Sequence, residues 1–352
     1  MGEILKEIFT DQNFLGALLS SLFFILIGFF LRRGNLIKEN GKETLNVIVM
    51  NVAIPCLAFC AFMSDLNEAD LGGNFVILLL DFLFYFIVIL LSYLGFFRYQ
   101  KTSRMVFAIL ISIGQLTLFS IPILKNLYVN NVSDVLIPAS LMTLAFRFMT
   151  YVVAYLSISE TKIAKDNIGK TLKSIFLTPV MIAMLLGLFI YLTQNVFFQV
   201  EINGESYGFL RIDKTLPMLY KVFELGDKMA TPLCFLMIGV TLGECKLLDA
   251  LKNKMAWLIA SLRVFVVPLF ILCLCLMIQT FNWFHFSEFQ LAALVIGNAA
   301  PVGAVVGAYC LKFQKEAYLA SDSIFLSTAL SLISIPLCFV LLKLCLTLPI
   351  FN

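Results

Sequence analysis

Ser112-Ile-Gly114-Gln115-Leu-Thr117-Leu-Phe-Ser120-Ile-Pro122 interrupts an apolar run that covers about residues 104–127. A second interruption, Gly297-Asn298-Ala-Ala-Pro301-Val-Gly303, falls inside the apolar run 288–311. Proline removes a backbone N–H and frees a carbonyl one turn back. In lipid those groups need partners, so a helix opens only where protein or a cavity surrounds the opening. Two interrupted helices in matching positions of a chain therefore predict paired breaks around one site. Counting about 1.5 Å per residue places Gln115 roughly 16 Å into its run and Asn298 roughly 15 Å into the other, near one midplane.

The rest of the chain reads as the surroundings of those breaks. Of its 352 residues, 61% are hydrophobic and 13% charged. A water-soluble domain carries about 45–50% apolar and about 25% charged residues, so this composition calls for lipid as solvent. Ten runs are long enough to span: 14–31, 44–63, 75–97, 104–127, 133–158, 172–194, 216–242, 254–279, 288–311 and 317–345. Those at 216–242 and 288–311 contain prolines and are candidates for splitting. The N-terminal segment lacks the basic stretch of a cleaved signal, so the first run is expected to stay as a helix. The nine cysteines lie mostly within apolar runs and read as small hydrophobes rather than a disulfide framework.

Basic residues order the runs. Arg32, Arg33, Lys38 and Lys42 follow helix 1, and Arg98, Lys101 and Arg104 follow helix 3. Lys162, Lys165, Lys170 and Lys173 follow helix 5; Lys246, Lys252 and Lys254 follow helix 7; Lys312 and Lys315 follow helix 9. The even loops hold only Lys125, Arg211 and Lys214. By the positive-inside rule the odd loops are cytoplasmic and both termini lie outside the cell. Five helices per half then force the second half to insert upside down. The expected fold is an all-α membrane protein of two inverted five-helix repeats, 1–158 and 172–352, joined by a cytoplasmic linker at 159–171, with helices 4 and 9 broken and crossing. Asn51-Val-Ala-Ile-Pro55 and Met229-Ala-Thr-Pro232 make a second pair of matching prolines, in helices 2 and 7.

Candidate site residues follow from the same map. Gln115, Thr117, Ser120 and Pro122 in helix 4, with Asn298 and Pro301 in helix 9, are placed to hold a substrate; the carboxamides serve equally as interhelical bonds. Arg147, near the middle of helix 5, suits an anionic substrate, or else an ion pair with an acidic side chain. Asp322 in helix 10 is a candidate for a coupling ion or proton, or for the partner of Arg147; Asn51 is the second coupling candidate. Asp81 and Arg263 sit at different depths and are not expected to pair, and Arg263 is expected to snorkel toward the cytoplasmic surface. The formal charge of +3 is spread over short loops, which argues against a nucleic-acid partner. His285 is the single histidine, and no metal-binding, nucleophile-elbow or phosphate-loop motif is present, so neither enzyme chemistry nor a resident cofactor is expected. The polar stretch 195–215 reads as a linker.

The order and spacing of several motifs resemble the auxin efflux carrier family, which includes plant PIN carriers and bacterial permeases for malate and similar acids. They are Asn51-Val-Ala-Ile-Pro55, Ile121-Pro122-Ile-Leu-Lys-Asn-Leu-Tyr128, Ala299-Ala-Pro301, and the run Tyr318-Leu-Ala-Ser321 through Leu326-Ser-Thr328-Ala-Leu-Ser331 to Ile335-Pro336. The resemblance implies a permease of small organic anions in the cell membrane, coupled to H+ or Na+ or facilitative. It implies a scaffold of helices 1, 2, 6 and 7 (14–63 and 172–242) that often dimerises, here through helices 2 and 7. A transport domain (75–158 and 254–345) then carries the crossing breaks, with Pro122 and Pro301 at the crossover. Gln115 stands where the family tends to have Asn, and Thr117 and Ser120 where glycines are usual. Alternatives are a sodium-coupled symporter of a neutral or amphipathic solute, resembling bile-acid carriers, and a membrane ligand sensor that transports nothing.

Overall fold

A computed structural model describes residues 12–66, 68–159, 177–202, 204–244 and 247–348. The linker expected at 159–171 lies, save Ser159, outside the described residues, as do Lys246 and the start of the run at 172–194. Within the described residues each apolar run is helical, apart from openings in two of them. In chain order these are α1 (Gln12–Arg33), α2 (39–60), α3 (Glu68–Gly95), α4a (Lys101–Ser112), α4b (Leu116–Leu127) and α5 (Val132–Ser159). They are followed by α6 (Pro179–Thr193), α7 (Pro217–Glu244), α8 (Lys254–Thr280), α9a (Glu288–Asn298), α9b (Ala304–Lys312) and α10 (Ala317–Leu346). Six of them, α2, α3, α5, α7, α8 and α10, are long and apolar enough to cross a membrane; α4b and α6 are shorter apolar helices. Helices suit lipid because every backbone polar group finds its partner inside the segment. The result is an all-α, membrane-embedded architecture.

Prolines shape these helices without always breaking them. In α2, α4b and α8 a five-residue widened turn (Val49–Ala53, Leu116–Ser120, Leu262–Val266) ends two residues before Pro55, Pro122 and Pro268. Each turn contains the carbonyl four residues before its proline, the one that the ring displaces, and the extra width accommodates that displacement. The split considered at 216–242 does not occur: Pro232 lies inside an unbroken α7. The run at 288–311 does split, at residues 299–303.

Packing follows from small residues. A Cβ on Gly28 of α1 would lie 2.1 Å from the Leu236 carbonyl, and one on Gly239 of α7 would lie 1.9 Å from that of Ile25. The two backbones meet where neither residue has a side chain, and lipid-embedded helices associate through such close contact. Beside this seam α2 packs on α6 and α7; α3 packs on α4a and α5, and α8 packs on α9a and α10. All eight described cysteines are free. The stretch 195–215 is more than a linker. Gln199–Ile202 and Glu205–Gly208 pair as a hairpin, and Arg211, 2% exposed, donates to Asp65 (2.9 Å), Asp213 (2.8 Å) and Gln194 Oε1 (2.6 Å). Burial works against the Arg211 charge, but its bonds to Asp213 and Asp65 outweigh it and raise the pKa.

Candidate functional site

The break in α4 begins at Ile113, whose extended backbone (φ −100°, ψ 108°) stops the helix, and ends at Gln115 (φ −96°, ψ 65°). That in α9 runs from Ala299 to Gly303 (φ −67°, ψ 123°). These open stretches lie antiparallel, with Gly114 opposite Val302. Gln115 N donates to the Pro301 carbonyl at 2.8 Å, and Gly303 N donates to the Ile113 carbonyl at 3.0 Å. Two strands too short to stand alone thus satisfy each other in the interior.

Side chains meet the remaining orphan groups, as buried backbone requires. Ser120 Oγ donates to the carbonyls of Ile296 (2.9 Å) and Gly297 (3.2 Å) at the end of α9a. Ser327 Oγ of α10 accepts from Val302 N at 3.0 Å. Gln115 Oε1 accepts from Ala304 N at 3.3 Å and so caps the start of α9b. Arg263, 1% exposed, donates Nε to the Ala300 carbonyl (2.9 Å) and Nη1 to those of Ser112 (2.8 Å) and Ile111 (3.2 Å). Asn298 Nδ2 donates to Asp81 Oδ1 at 2.9 Å and to the Leu294 carbonyl at 3.0 Å.

Two expectations are corrected by this geometry. Pro122 does not mark the break in α4: it is buried within α4b, beyond the widened turn, and the opening at 113–115 holds a glycine and no proline. Arg263 does not snorkel, because carbonyls freed by both breaks are nearer partners than water at the membrane surface. Asp81 and Arg263, not expected to pair, form no ion pair with each other among the described residues, although their partners Asn298 and Ala300 lie two residues apart on α9.

The crossover gathers Gln115, Thr117, Ser120, Asn298 and Pro301, with the Thr117 hydroxyl and Asp81 Oδ2 buried and without a hydrogen-bond partner. Arg147 lies on the stretch of α5 between Met142, which packs on Gly297, and Tyr155, whose ring is 5.5 Å from that of Tyr309 on α9b. It is 2% exposed, its Nε has no hydrogen-bond partner, and no acidic side chain among the described residues pairs with it. Asp322 is engaged elsewhere, accepting from Asn253 Nδ2 at 2.8 Å where α8 and α10 begin. Asn51 is exposed on α2 and donates to the Val47 carbonyl of its own helix. Sequence reasoning noticed Asp81 and Arg263 as intramembrane charges but not their partners. Gly114 was the available signal: a Cβ there would sit 1.9 Å from Arg263 Nη2.

Paired breaks held inside a lipid-embedded helical bundle define the class: a membrane transport protein. The sequence profile of the membrane transport protein family, that of the auxin efflux carriers, matches residues 14–339, and the chain belongs to this family. No curated protein matched the chain. Members of the family are transporters, which are generally not enzymes.

Proposed function

We propose that the protein is a secondary carrier of small organic anions, working by alternating access around the crossover of α4 and α9. One observation carries the reading: Arg147 is buried on the stretch of α5 between Met142 and Tyr155, which both meet α9, and no acidic side chain among the described residues pairs with it. A buried, unpaired charge is costly, and a carboxylate is the ligand that a guanidinium binds in a fork. The positive ends of α4b and α9b point from the same breaks and favour an anion there. Gln115, Thr117 and Asn298 would orient the substrate, while Ser120 and Pro301 hold the backbone.

In this reading the chain makes ten spans in two inverted repeats, in the cell membrane, with both ends outside. What supports the repeat is the exchange of partners between halves. Asp81 of α3 reaches the break of α9, and Arg263 of α8 reaches that of α4. Likewise α1 packs on α7 as α6 packs on α2. Helices α1, α2, α6 and α7 would form the scaffold, dimerising through α2 and α7, where Val52, Val222 and Leu225 face outward. The remaining helices would move the site.

Uptake of labelled di- and monocarboxylates into proteoliposomes tests the proposal. Saturable flux is expected, with Arg147→Ala losing at least about tenfold in apparent affinity, the equivalent of one lost charge-assisted contact. Unchanged affinity in that variant would overturn the anion site, and binding without flux would favour a sensor.

A further inference from the structure

Carriers with broken helices bind their coupling cation on unwound carbonyls and on the C-terminal ends of half-helices, where the helix dipole leaves partial negative charge. Both half-helices that end at this crossover already have a cation on those groups. Ser112 and Ile111 close α4a, Ala300 follows the end of α9a, and the carbonyls of all three accept from one guanidinium. The site is built for that group. Gly114 leaves the space that Arg263 Nη2 occupies. The widened turn Leu262–Val266, two residues ahead of Pro268, sets the side chain of α8 at this depth. Asp81 accepts from Asn298, the last residue of α9a, with one oxygen at 2.9 Å.

We infer that Arg263 is a tethered counter-cation occupying the position of an inorganic coupling cation, so that the crossover binds no sodium. The inference rests on the carrier reading above and deepens it by removing sodium from the transport cycle. Arg263 is a positioning residue here: it holds the two open backbones together through their carbonyls.

The test is thermal unfolding of the full chain in detergent, in choline chloride with sodium or guanidinium added at constant ionic strength. No substrate is needed. The wild-type midpoint is expected to ignore both ions at tens of millimolar. Arg263→Ala is expected to unfold earlier by about 5 °C or more, with guanidinium or sodium restoring part of the loss in a saturable way. Arg263→Lys, which keeps the charge, is expected to fall between the two and to ignore sodium; this variant and the wild type carry the test if the alanine protein does not fold. Saturable stabilisation of the wild type or the lysine variant by sodium would overturn the inference. So would an alanine variant with a wild-type midpoint, or one that responds to neither ion. A failed flux assay with sodium-indifferent wild type would remove the carrier reading and leave the cation assignment standing.

Discussion

The crossover of α4 with α9 and the seam of α1 with α7 both bring backbones unusually close, by opposite means. At the seam the helices are regular, their hydrogen bonds are spent internally, and Gly28 and Gly239 let carbonyl approach Cα with nothing between. At the crossover the helices are open, and Ser120, Ser327, Gln115 and Arg263 supply what the backbone has lost. Proline does not distinguish the two regions. Pro232 lies within α7, only seven residues from Gly239, and the helix continues through it. A helix opens where side chains from elsewhere in the fold can accept its orphan groups, and bends or widens where they cannot.

Substitutions that break this contrast should rank in effect. Gly114→Ala is expected to be the most damaging, because its Cβ must expel a buried guanidinium from three carbonyls. A loss of about 3 kcal/mol or more is expected, read as a fall in the thermal midpoint and in the yield of folded protein. Gly239→Ala should cost about 1–3 kcal/mol, since its Cβ would meet the Ile25 carbonyl at 1.9 Å and force α1 and α7 apart, though without stranding a buried charge. It should lower the midpoint without altering ligand affinity, and an effect as large as that of Gly114→Ala would erase the distinction between the two regions. Ser120→Ala removes one donor from the end of α9a and should cost about 1 kcal/mol. Hydrogen exchange at Ile121–Leu127 and Glu288–Asn298 would localise the loosening. Pro232→Ala is expected to change stability by under about 1 kcal/mol, because the helix already runs through that position. A large loss there would mean that the proline holds α7 in a shape the seam requires.

Much of this was legible in residue order. Apolar runs located the long helices but not the short ones at Ile212–Thr215 and Leu247–Lys252, and the break at Ala299–Gly303 followed from Pro301 and its glycines. Gln115 and Asn298, read from the sequence as lying at the two breaks, do lie at the crossover, where Gln115 bonds the Pro301 carbonyl and the Ala304 N–H. The α4 break was misplaced onto Pro122, because a proline can be absorbed by a widened turn while a glycine facing a guanidinium cannot be replaced. Arg263 was misread for a related reason: burial depth on one helix says nothing about which carbonyls a neighbouring helix has released. Arg147 was open to two readings, and Asp322, one candidate for its ion-pair partner, bonds Asn253 instead.

By itself the sequence determined that the chain is helical and embedded in lipid, where its long helices run, and that two of them are interrupted. These properties are local, since the length of an apolar run and the internal pairing of helical backbone depend on neighbours within a few turns. Only the tertiary structure decided which side chain meets which orphan carbonyl. Arg263 and Ile111 are 152 residues apart in the chain, and no periodicity spans that distance; the crossing of α4 with α9 brings them to 3.2 Å.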